Sequence, residues 1–412
     1  MDVFIVDAMM GLGKTSSLIN MMNNDSVNNY VFITPFLKEV ERIKKSCPNN
    51  KFEEPINHGD GKLLDLHKLL ECKKNIVSTH ALFKVYSKDT IDILTKANYT
   101  LVLDEAVDVL EHIPLHKDDI NYIINKGLAH VDENNYVIWD DENYNGDRFY
   151  DIKLMSKNNN LMLIENKLML WYFPVEVFKC FKTVYVLTYL FEAQIQRCYY
   201  DLHGIKYKKI GVSKINGVYV LTEKTVIPDY IKKTKEKIHI LEDKSLNSIG
   251  DNYNSSMSYS WFERNRNKKN KALIQLKNNI ENVFKHRFKS KSSLNMWTTF
   301  IDYKQYVAGK GYTKGFIAMN ARATNDFRDK KYLAYCVNRF LNPYLKNYFI
   351  ERNVDINDDD YALSEMIQWI WRSAIREGKD IYIYIPSLRM RSIFKKWLEE
   401  ISQDNNIVEN NT

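Results

Sequence analysis

Short apolar runs alternate with helical patterns along the first two hundred residues. The runs Val3–Val6, Tyr30–Thr34 and Leu101–Leu103 are almost continuously apolar. Further strand candidates lie at Asn75–Ser78 and Val184–Leu187, and helix candidates lie at Lys14–Met22 and Lys62–Leu70. Strands that are apolar throughout and separated by helices are typical of a parallel sheet covered on both faces. The pattern therefore predicts an α/β fold.

The pattern changes between residues 118 and 181, where alternating and turn-rich segments predict a small antiparallel insertion. A second α/β region begins near residue 201. Its strand candidates are Lys237–Leu241, Met296–Ile301, Phe316–Met319 and Ile381–Ile385. We therefore expect one α/β domain over residues 1–200, a second over 201–402, and a polar tail over 403–412.

Composition agrees with a folded protein of more than one domain. The chain has 412 residues, of which 45% are hydrophobic and 27% are charged. This length exceeds the size at which a single hydrophobic core usually stops growing. Lysine and arginine number 59 against 52 aspartate and glutamate. The resulting net charge of +7 is compatible with a polyanionic partner but does not identify one.

Cysteine placement and the apolar stretches restrict the cellular setting. The five cysteines are scattered and form no Cys-x-x-Cys pair, which argues against a disulfide framework or a zinc ribbon and favours a reducing cytosol. No basic segment precedes Val3–Val6, unlike in a signal peptide. The stretch from Leu161 to Phe178 is interrupted by charged residues. We expect a cytoplasmic protein that does not enter a membrane.

Residues Ala8–Thr15 read AMMGLGKT, close to the P-loop pattern G-x-x-x-x-G-K-[ST] with alanine in the first position. The segment follows the first strand and opens the first helix, so loop N–H groups and the helix N-terminus can face a phosphate. In this pattern Lys14 reaches the β- and γ-phosphates and the Thr15 hydroxyl binds Mg²⁺. The residues predicted to bind ATP are Gly11, Leu12, Gly13, Lys14, Thr15 and Ser16.

The apolar run Leu101–Leu103 ends in two acids, Asp104 and Glu105. Downstream of a P-loop, Asp104 is expected to hold Mg²⁺, and Glu105 to orient and deprotonate the attacking water. Alternatively, the two acids cap the next helix, where negative charge favours the helix dipole. Because Lys14 lies upstream, we favour ATP hydrolysis with Mg²⁺.

The acidic run Asp104–Val107 (DEAV) resembles the DEAD/DEAH-type box of superfamily-two helicases and translocases. Other segments lie in the order of that family. Phe32–Pro35 lies where motif Ia is found, and Ser78–Phe83 is similar to the T-H-A-L-type segment of RecG-like DNA helicases. Leu187–Tyr189 lies where motif III is found, with Tyr189 departing from the usual L-T-A-T.

The resemblance implies roles for residues in these segments and in Asn320–Asp326, which is loosely similar to motif V. It implies that Thr188 couples hydrolysis to motion. The residues that it implies for nucleic-acid contact are Thr34, Pro35, Thr79, His80, Arg322 and Thr324.

Near the C-terminus, Gln368–Arg376 resembles motif VI, with Trp371 in place of glycine and one additional residue before the last arginine. In one continuous helix, Arg372 and Arg376 would lie on the same face. The resemblance implies that Gln368 and the two arginines act in catalysis, with one arginine serving as an arginine finger on the γ-phosphate. The alternative is a solvated basic helix face.

Basic residues far outnumber acidic ones between Arg264 and Lys291. Such a run can neutralise phosphates without reading sequence, and neighbouring aromatic rings can stack on bases. The aromatic candidates are Trp261, Phe262 and Trp297. The alternative is an ordinary solvated helix whose apolar residues have core spacing, namely Leu273, Leu276, Ile280 and Phe284. Both interpretations can hold for one helix.

The resemblance implies two RecA-like domains, with ATP bound between Lys14 and the arginines Arg372 and Arg376. Hydrolysis would then move the domains along a nucleic-acid strand. The motif order is most similar to that of compact bacteriophage or mobile-element helicases. This and the RecG-like segment favour DNA over RNA, and a role in replication or recombination in the host cytoplasm.

Three alternatives stay open. A terminase-type packaging motor also pairs a P-loop with an acidic strand end, and would need a nuclease site for which Asp355 and Asp358–Asp360 are the acidic candidates. A small-molecule kinase would not need the second domain. An origin-binding or RNA-remodelling protein could use ATP to hold a conformation, although Glu105 argues for hydrolysis.

Overall fold

The apolar runs of the first half of the chain form strands, as their pattern predicts. The structure is a computed structural model that describes residues 1–59, 61–267, 270–319 and 327–403. The strands up to residue 225 are β1 (Asp2–Asp7), β2 (Tyr30–Thr34), β3 (Ile76–Thr79), β4 (Thr100–Asp104), β5 (Leu110–His112), β6 (Ala129–Val131), β7 (Val137–Trp139), β8 (Leu161–Ile164), β9 (Leu168–Tyr172), β10 (Thr183–Thr188), β11 (Lys208–Ile215) and β12 (Val218–Thr222). The helices of this part are α1 (Lys14–Asn23), α2 (Leu37–Ser46), α3 (Lys62–Glu71), α4 (His80–Phe83), α5 (Lys88–Ala97), α6 (Lys117–Asn125), α7 (Tyr150–Lys157), α8 (Glu176–Lys179) and α9 (Ile195–Leu202).

Seven of these strands form one sheet in the order β12-β11-β1-β10-β4-β2-β3. All neighbouring pairs are parallel except β11 and β12, which form an antiparallel hairpin. Val6, Phe32 and Val102 lie in one buried cluster with residues of α1 and α2, including Leu18 and Val40. A parallel sheet buries its strand side chains under the crossover helices, which explains why these strands are apolar throughout.

The predicted antiparallel insertion is present and extends over residues 110–172. It contains a three-stranded sheet in the order β5-β9-β8 and the separate hairpin β6-β7. Helices α6 and α7 cover these strands through Ile120, Ile123 and Ile152, which share a buried cluster with Val137 and Leu163. The insertion therefore has a small hydrophobic core of its own.

Among the described residues, the second half of the chain has four strands and further helices. The strands are β13 (Ile238–Ile240), β14 (Asn295–Thr298), β15 (Tyr332–Tyr335) and β16 (Ile381–Tyr384). The helices are α10 (Asp229–Lys232), α11 (Lys244–Asn247), α12 (Tyr259–Asn265), α13 (Lys271–Asn282), α14 (Lys304–Val307), α15 (Pro343–Ile350), α16 (Asp358–Ile370) and α17 (Leu388–Gln403). The four strands form one sheet in the order β13-β16-β15-β14, with every pair parallel.

One strand of this second sheet differs from the prediction. Phe316–Met319 is not a strand, because Phe316 makes only an isolated bridge to Trp297. The position between β14 and β16 belongs to Tyr332–Tyr335, where Leu333, Ala334 and Tyr335 are fully buried. The apolar character of a run therefore does not by itself decide which segment joins the sheet, because strand formation depends on tertiary pairing.

The chain divides into two compact units. The first contains Met1–Thr225 and Asn342–Ile356, and the second contains Val226–Leu341 and the chain from Asn357 onward. The first unit extends past residue 200 because β11 pairs with β1. Helix α15 returns to the first unit, where it contacts β8. Among the helices of the described residues, none is both long enough and apolar enough to cross a membrane.

Candidate nucleotide-binding site

The loop Ala8–Thr15 connects the end of β1 to the start of α1. Gly11 and Gly13 have φ angles of 87° and 86°, in the left-handed region that side chains with a Cβ rarely adopt. Leu12, between them, is buried and anchors the loop to the core. Helix α1 begins directly at Lys14, so its first-turn N–H groups and the loop share one end of the sheet. The loop is therefore shaped to surround an anion.

The Lys14 ammonium lies over this loop. It donates hydrogen bonds to the backbone carbonyl groups of Ala8 and Met9, the latter at 3.2 Å. Carbonyl groups of the loop thus hold the cation at the place where the pattern predicts phosphates. Ser16 is half-buried on the first turn of α1, and the neighbouring Ser17 hydroxyl donates to the Lys14 carbonyl at 2.7 Å.

Thr15 and Asp104 are brought together although 89 positions separate them in the sequence. The Thr15 hydroxyl donates a hydrogen bond to the Asp104 Oδ1 at 2.9 Å. Burial raises the pKa of Asp104, while the Thr15 hydrogen bond and the Lys14 charge act in the opposite direction. The parallel pairing of β4 with β10, and of β10 with β1, places the acidic strand end beside the loop.

The side chains and backbone groups at this site fit a bound Mg²⁺ and the phosphates of a nucleotide. A hydroxyl and a carboxylate oxygen are the hard ligands that Mg²⁺ prefers, and Mg²⁺ sites commonly use few protein ligands together with phosphates and water. The same site offers a lysine and a helix N-terminus to the phosphates. Thr15 and Asp104 would hold the metal, and the metal would neutralise charge on the phosphates.

Glu105 has an unusual backbone conformation next to this site. Its φ angle is 84°, a value that costs a residue with a side chain about 1–3 kcal/mol and that is concentrated at functional sites. The Glu105 N–H donates to the Leu187 carbonyl at 3.0 Å, so Glu105 is held at the end of the pairing between β4 and β10. The side chain is exposed, so it can reach a water molecule at the strand end. It does not cap a following helix, because residues 105–109 are not helical.

The segment after β10 is hydrogen-bonded to Asp7, the residue that precedes the phosphate loop. The Asp7 carboxylate accepts hydrogen bonds from the backbone N–H groups of Leu190 at 2.8 Å and Phe191 at 3.0 Å. The Thr188 carbonyl accepts from the Ala8 N–H at 3.0 Å, and the Thr188 hydroxyl accepts from the Gln194 side chain at 2.6 Å. Thr188, predicted to couple hydrolysis to motion, is therefore joined through backbone to the phosphate loop.

Two polar residues that hold the backbone near this site, Asp7 and Gln196, were not predicted from the sequence. Burial raises the pKa of Asp7, whereas the N–H groups of Phe191 and Leu190 lower it. Gln196 is buried, accepts from the Val107 N–H at 3.0 Å and donates to the Tyr200 hydroxyl at 2.8 Å. An acid that ends an apolar strand directly before a glycine loop was the available signal for Asp7. Gln196 has no comparable signal.

The predicted nucleic-acid contacts of the first unit lie at adjacent strand ends. Thr34 ends β2 and Thr79 ends β3, and the two are partners in the parallel register. Thr34 and His80 are buried, whereas Thr79 and Pro35 are half-buried. Thr79 and Pro35 therefore present surface to a ligand, whereas Thr34 has none exposed. The predicted contacts Arg322 and Thr324 lie outside the described residues.

The segment that resembles motif VI does not form one continuous helix. Helix α16 carries Gln368 and ends at Ile370. The Ser373 hydroxyl donates to the Ile370 carbonyl at 2.6 Å, and the Ala374 N–H donates to the Lys330 carbonyl, so the helical pattern stops. Arg372 follows the helix end, is buried and donates to the Met319 carbonyl at 3.3 Å. Arg376 is exposed in a separate 3-10 turn, so the expected placement of both arginines on one helical face was wrong.

The basic run Arg264–Lys291 has a buried apolar face. Helix α13 buries Leu273, Leu276 and Ile280, as the core spacing predicts. Phe262 and Trp297 are fully buried, so they are not available to stack on bases, whereas Trp261 is half-buried. The expectation of an aromatic surface beside the basic residues was therefore wrong for two of the three rings.

The described architecture defines an α/β protein with two RecA-like domains and an antiparallel insertion in the first. This confirms the predicted fold class. The chain belongs to the YonV family. It is 45% identical over 412 residues to the SPbeta prophage-derived uncharacterized protein YonV of Bacillus subtilis (strain 168), across 96% of this chain and 98% of the relative.

Two segments of the chain match the models of two domain families. Residues 110–171 match the YonV middle domain, and residues 232–398 match the YonV C-terminal Rossmann-like domain. Among solved structures, the chain is similar to one described as XPD_APO, at 11% identity and a TM-score of 0.50, covering 96% of this chain and 95% of the other. It is also similar to the structure of S. tokodaii Xpd4, at 13% identity and a TM-score of 0.50, covering 96% and 94%. These similarities show the fold.

Proposed function

We propose that this protein is a nucleic-acid-dependent ATPase that moves along, or unwinds, a nucleic-acid strand. The observation that carries the proposal is the hydrogen bond between Thr15 and Asp104, which joins the phosphate loop to the acidic strand end. A loop lysine, a hydroxyl and two consecutive acids at one sheet end are the groups that ATP hydrolysis with Mg²⁺ requires. The XPD-like fold of the whole chain supports a helicase rather than a small-molecule kinase.

In the proposed reaction, Lys14 and the N–H groups of the loop hold the β- and γ-phosphates, while Thr15 and Asp104 would hold Mg²⁺. Glu105 orients the attacking water and takes its proton. Arg372 or Arg376 stabilises negative charge on the γ-phosphate in the transition state. Thr188 and the residues tied to Asp7 transmit the state of the nucleotide to the rest of the chain.

DNA is the proposed substrate, and phage-type replication or recombination the proposed setting. The prophage origin of the relative named YonV supports a mobile-element context. The terminase alternative has less support, because the acidic cluster at the start of α16 has structural partners. The Asp358 carboxylate accepts the Leu341 N–H at 3.1 Å, and Asp359 pairs with Arg389 at 2.7 Å.

A strand-displacement assay tests the proposal. A labelled oligonucleotide annealed to a longer DNA strand, or to the matching RNA, is incubated with the protein and Mg²⁺-ATP. We expect release of the DNA oligonucleotide by the wild-type protein and no release by Glu105→Gln, which keeps the loop and the lysine. Release that is equal without ATP, or absent with both polymers, would contradict the helicase function.

A further inference from the structure

An aromatic ring lies directly against the phosphate loop. Tyr219 belongs to β12, and a methyl group added to Gly13 would overlap the Cγ, Cδ1 and Cε1 atoms of the Tyr219 ring. The ring is half-buried, so it contacts the loop and still presents surface. Neither the P-loop pattern nor the acidic pair Asp104 and Glu105 requires this ring.

The β11–β12 hairpin fixes the ring in this position. In the antiparallel register Lys214 is opposite Tyr219 and Val212 is opposite Leu221, so these four residues share one face of the hairpin. Val212 is buried, and Leu221 packs against the cluster that contains Leu18 of α1. Tyr219 packs against the same cluster, so this face of the hairpin both anchors β12 to α1 and places the Tyr219 ring beside the loop.

Lys214 adds a cation to the ring. Its ammonium lies 5.5 Å from the centroid of the Tyr219 ring, within the range of a cation–π contact, and the residue is exposed. A flexible cation and a rigid aromatic ring beside a phosphate loop are complementary to a nucleotide, which carries negative charge at one end and a flat base at the other.

We infer that Tyr219 is the stacking platform for the nucleotide base, with Lys214 as the neighbouring cation. This inference rests on the proposed function, because it presupposes that the loop holds the phosphates. A base is joined to its phosphates through a single ribose, so the base lies next to the loop. Stacking depends on the π-face that every base has, and therefore the site recognises a nucleotide without selecting strongly among bases.

Binding of ATP and of inorganic tripolyphosphate, both with Mg²⁺, separates the base contact from the phosphate contact. The wild-type protein is expected to bind ATP roughly tenfold or more tightly than tripolyphosphate, from the usual contribution of one aromatic–base stack. Tyr219→Leu keeps an apolar side chain against Gly13 but has no π-face, and should lose this advantage. Tyr219→Phe should retain it, and all three proteins should bind tripolyphosphate equally.

The outcomes distinguish the inference from the proposed function. If Tyr219→Leu keeps the wild-type ratio of ATP to tripolyphosphate affinity, Tyr219 is not the platform, although the ATPase proposal stands. If the wild-type protein binds neither ligand, both proposals fail. If Tyr219→Leu loses affinity for both ligands equally, the ring only supports the loop, and the inference is overturned. Tyr219→Trp, which enlarges the π-face, gives an independent check, because it should bind ATP at least as tightly as the wild-type protein.

Discussion

One oxygen of the Asp7 carboxylate accepts a hydrogen bond from the backbone N–H of Leu190 at 2.8 Å. The other oxygen accepts from the next N–H along the chain. Leu190 has a φ angle of 56°, so the carboxylate holds a residue in the left-handed region. This contact ties the segment after Thr188 to the strand that delivers the phosphate loop, and it gives the coupling proposal a physical basis.

Replacing Asp7 with asparagine tests how much these two hydrogen bonds stabilise the first unit. The asparagine side chain would offer one acceptor oxygen to two N–H groups, so we expect Asp7→Asn to lower the free energy of unfolding by about 1–3 kcal/mol. Urea unfolding measures the change, and Asp92→Asn, at an exposed position on α5, is the matched control. If both variants unfold at the same urea concentration as the wild-type protein, the contact does not stabilise the unit.

The Gly13→Ala substitution should disrupt the loop for two reasons. Alanine is strained at a φ angle of 86°, and its methyl group would overlap the Tyr219 ring. Gly311 has the same φ angle with open space around it, so Gly311→Ala isolates the backbone strain, roughly 1–2 kcal/mol. We expect only Gly13→Ala to abolish ATP binding, as measured by calorimetry. Normal ATP binding by Gly13→Ala would show that the loop Ala8–Thr15 does not bind the nucleotide.

Thr15→Val should weaken the binding of ATP only when Mg²⁺ is present. Valine keeps the shape of threonine but loses the hydroxyl that reaches Asp104. We expect the affinity for Mg²⁺-ATP to fall roughly tenfold, because the metal would lose one of its few protein ligands. The affinity in EDTA should change little. Thr95→Val, at an exposed position of α5, is the control, and an equal loss in both conditions would exclude a metal role for Thr15.

The second unit depends on a fully buried arginine. Arg389 donates to the Asp359 carboxylate at 2.7 Å, to the Asn338 side chain at 2.9 Å and to the Arg339 carbonyl at 2.6 Å. Arg389→Met would leave the buried Asn338 side chain and the Arg339 carbonyl without their donor, so we expect a loss of about 1–3 kcal/mol in the free energy of unfolding. Lys396→Met, exposed on the same helix, should be close to neutral. Similar denaturation midpoints for the two variants would contradict this account.

The sequence predicts the main sheet well because its strands are short apolar runs bounded by helices. It predicts the meeting of Lys14, Thr15 and Asp104 because the carboxyl ends of parallel strands share one edge of a sheet. It does not predict the contact between Tyr219 and Gly13, since β11 and β12 alternate in character and their place beside β1 depends on tertiary pairing. The break after α16 was missed because hydrogen bonds from Ser373 and Ala374 override the helical pattern.

The most direct test of the central claim is steady-state ATP hydrolysis by the purified protein. Rates are compared without polymer and with single-stranded DNA, duplex DNA or RNA, for the wild-type protein, Lys14→Ala and the exposed-lysine control Lys96→Ala. We expect hydrolysis to rise strongly with DNA in the wild-type protein and in Lys96→Ala, and to be abolished in Lys14→Ala. Hydrolysis that is indifferent to every polymer, or that survives in Lys14→Ala, would contradict a nucleic-acid-dependent motor at this site.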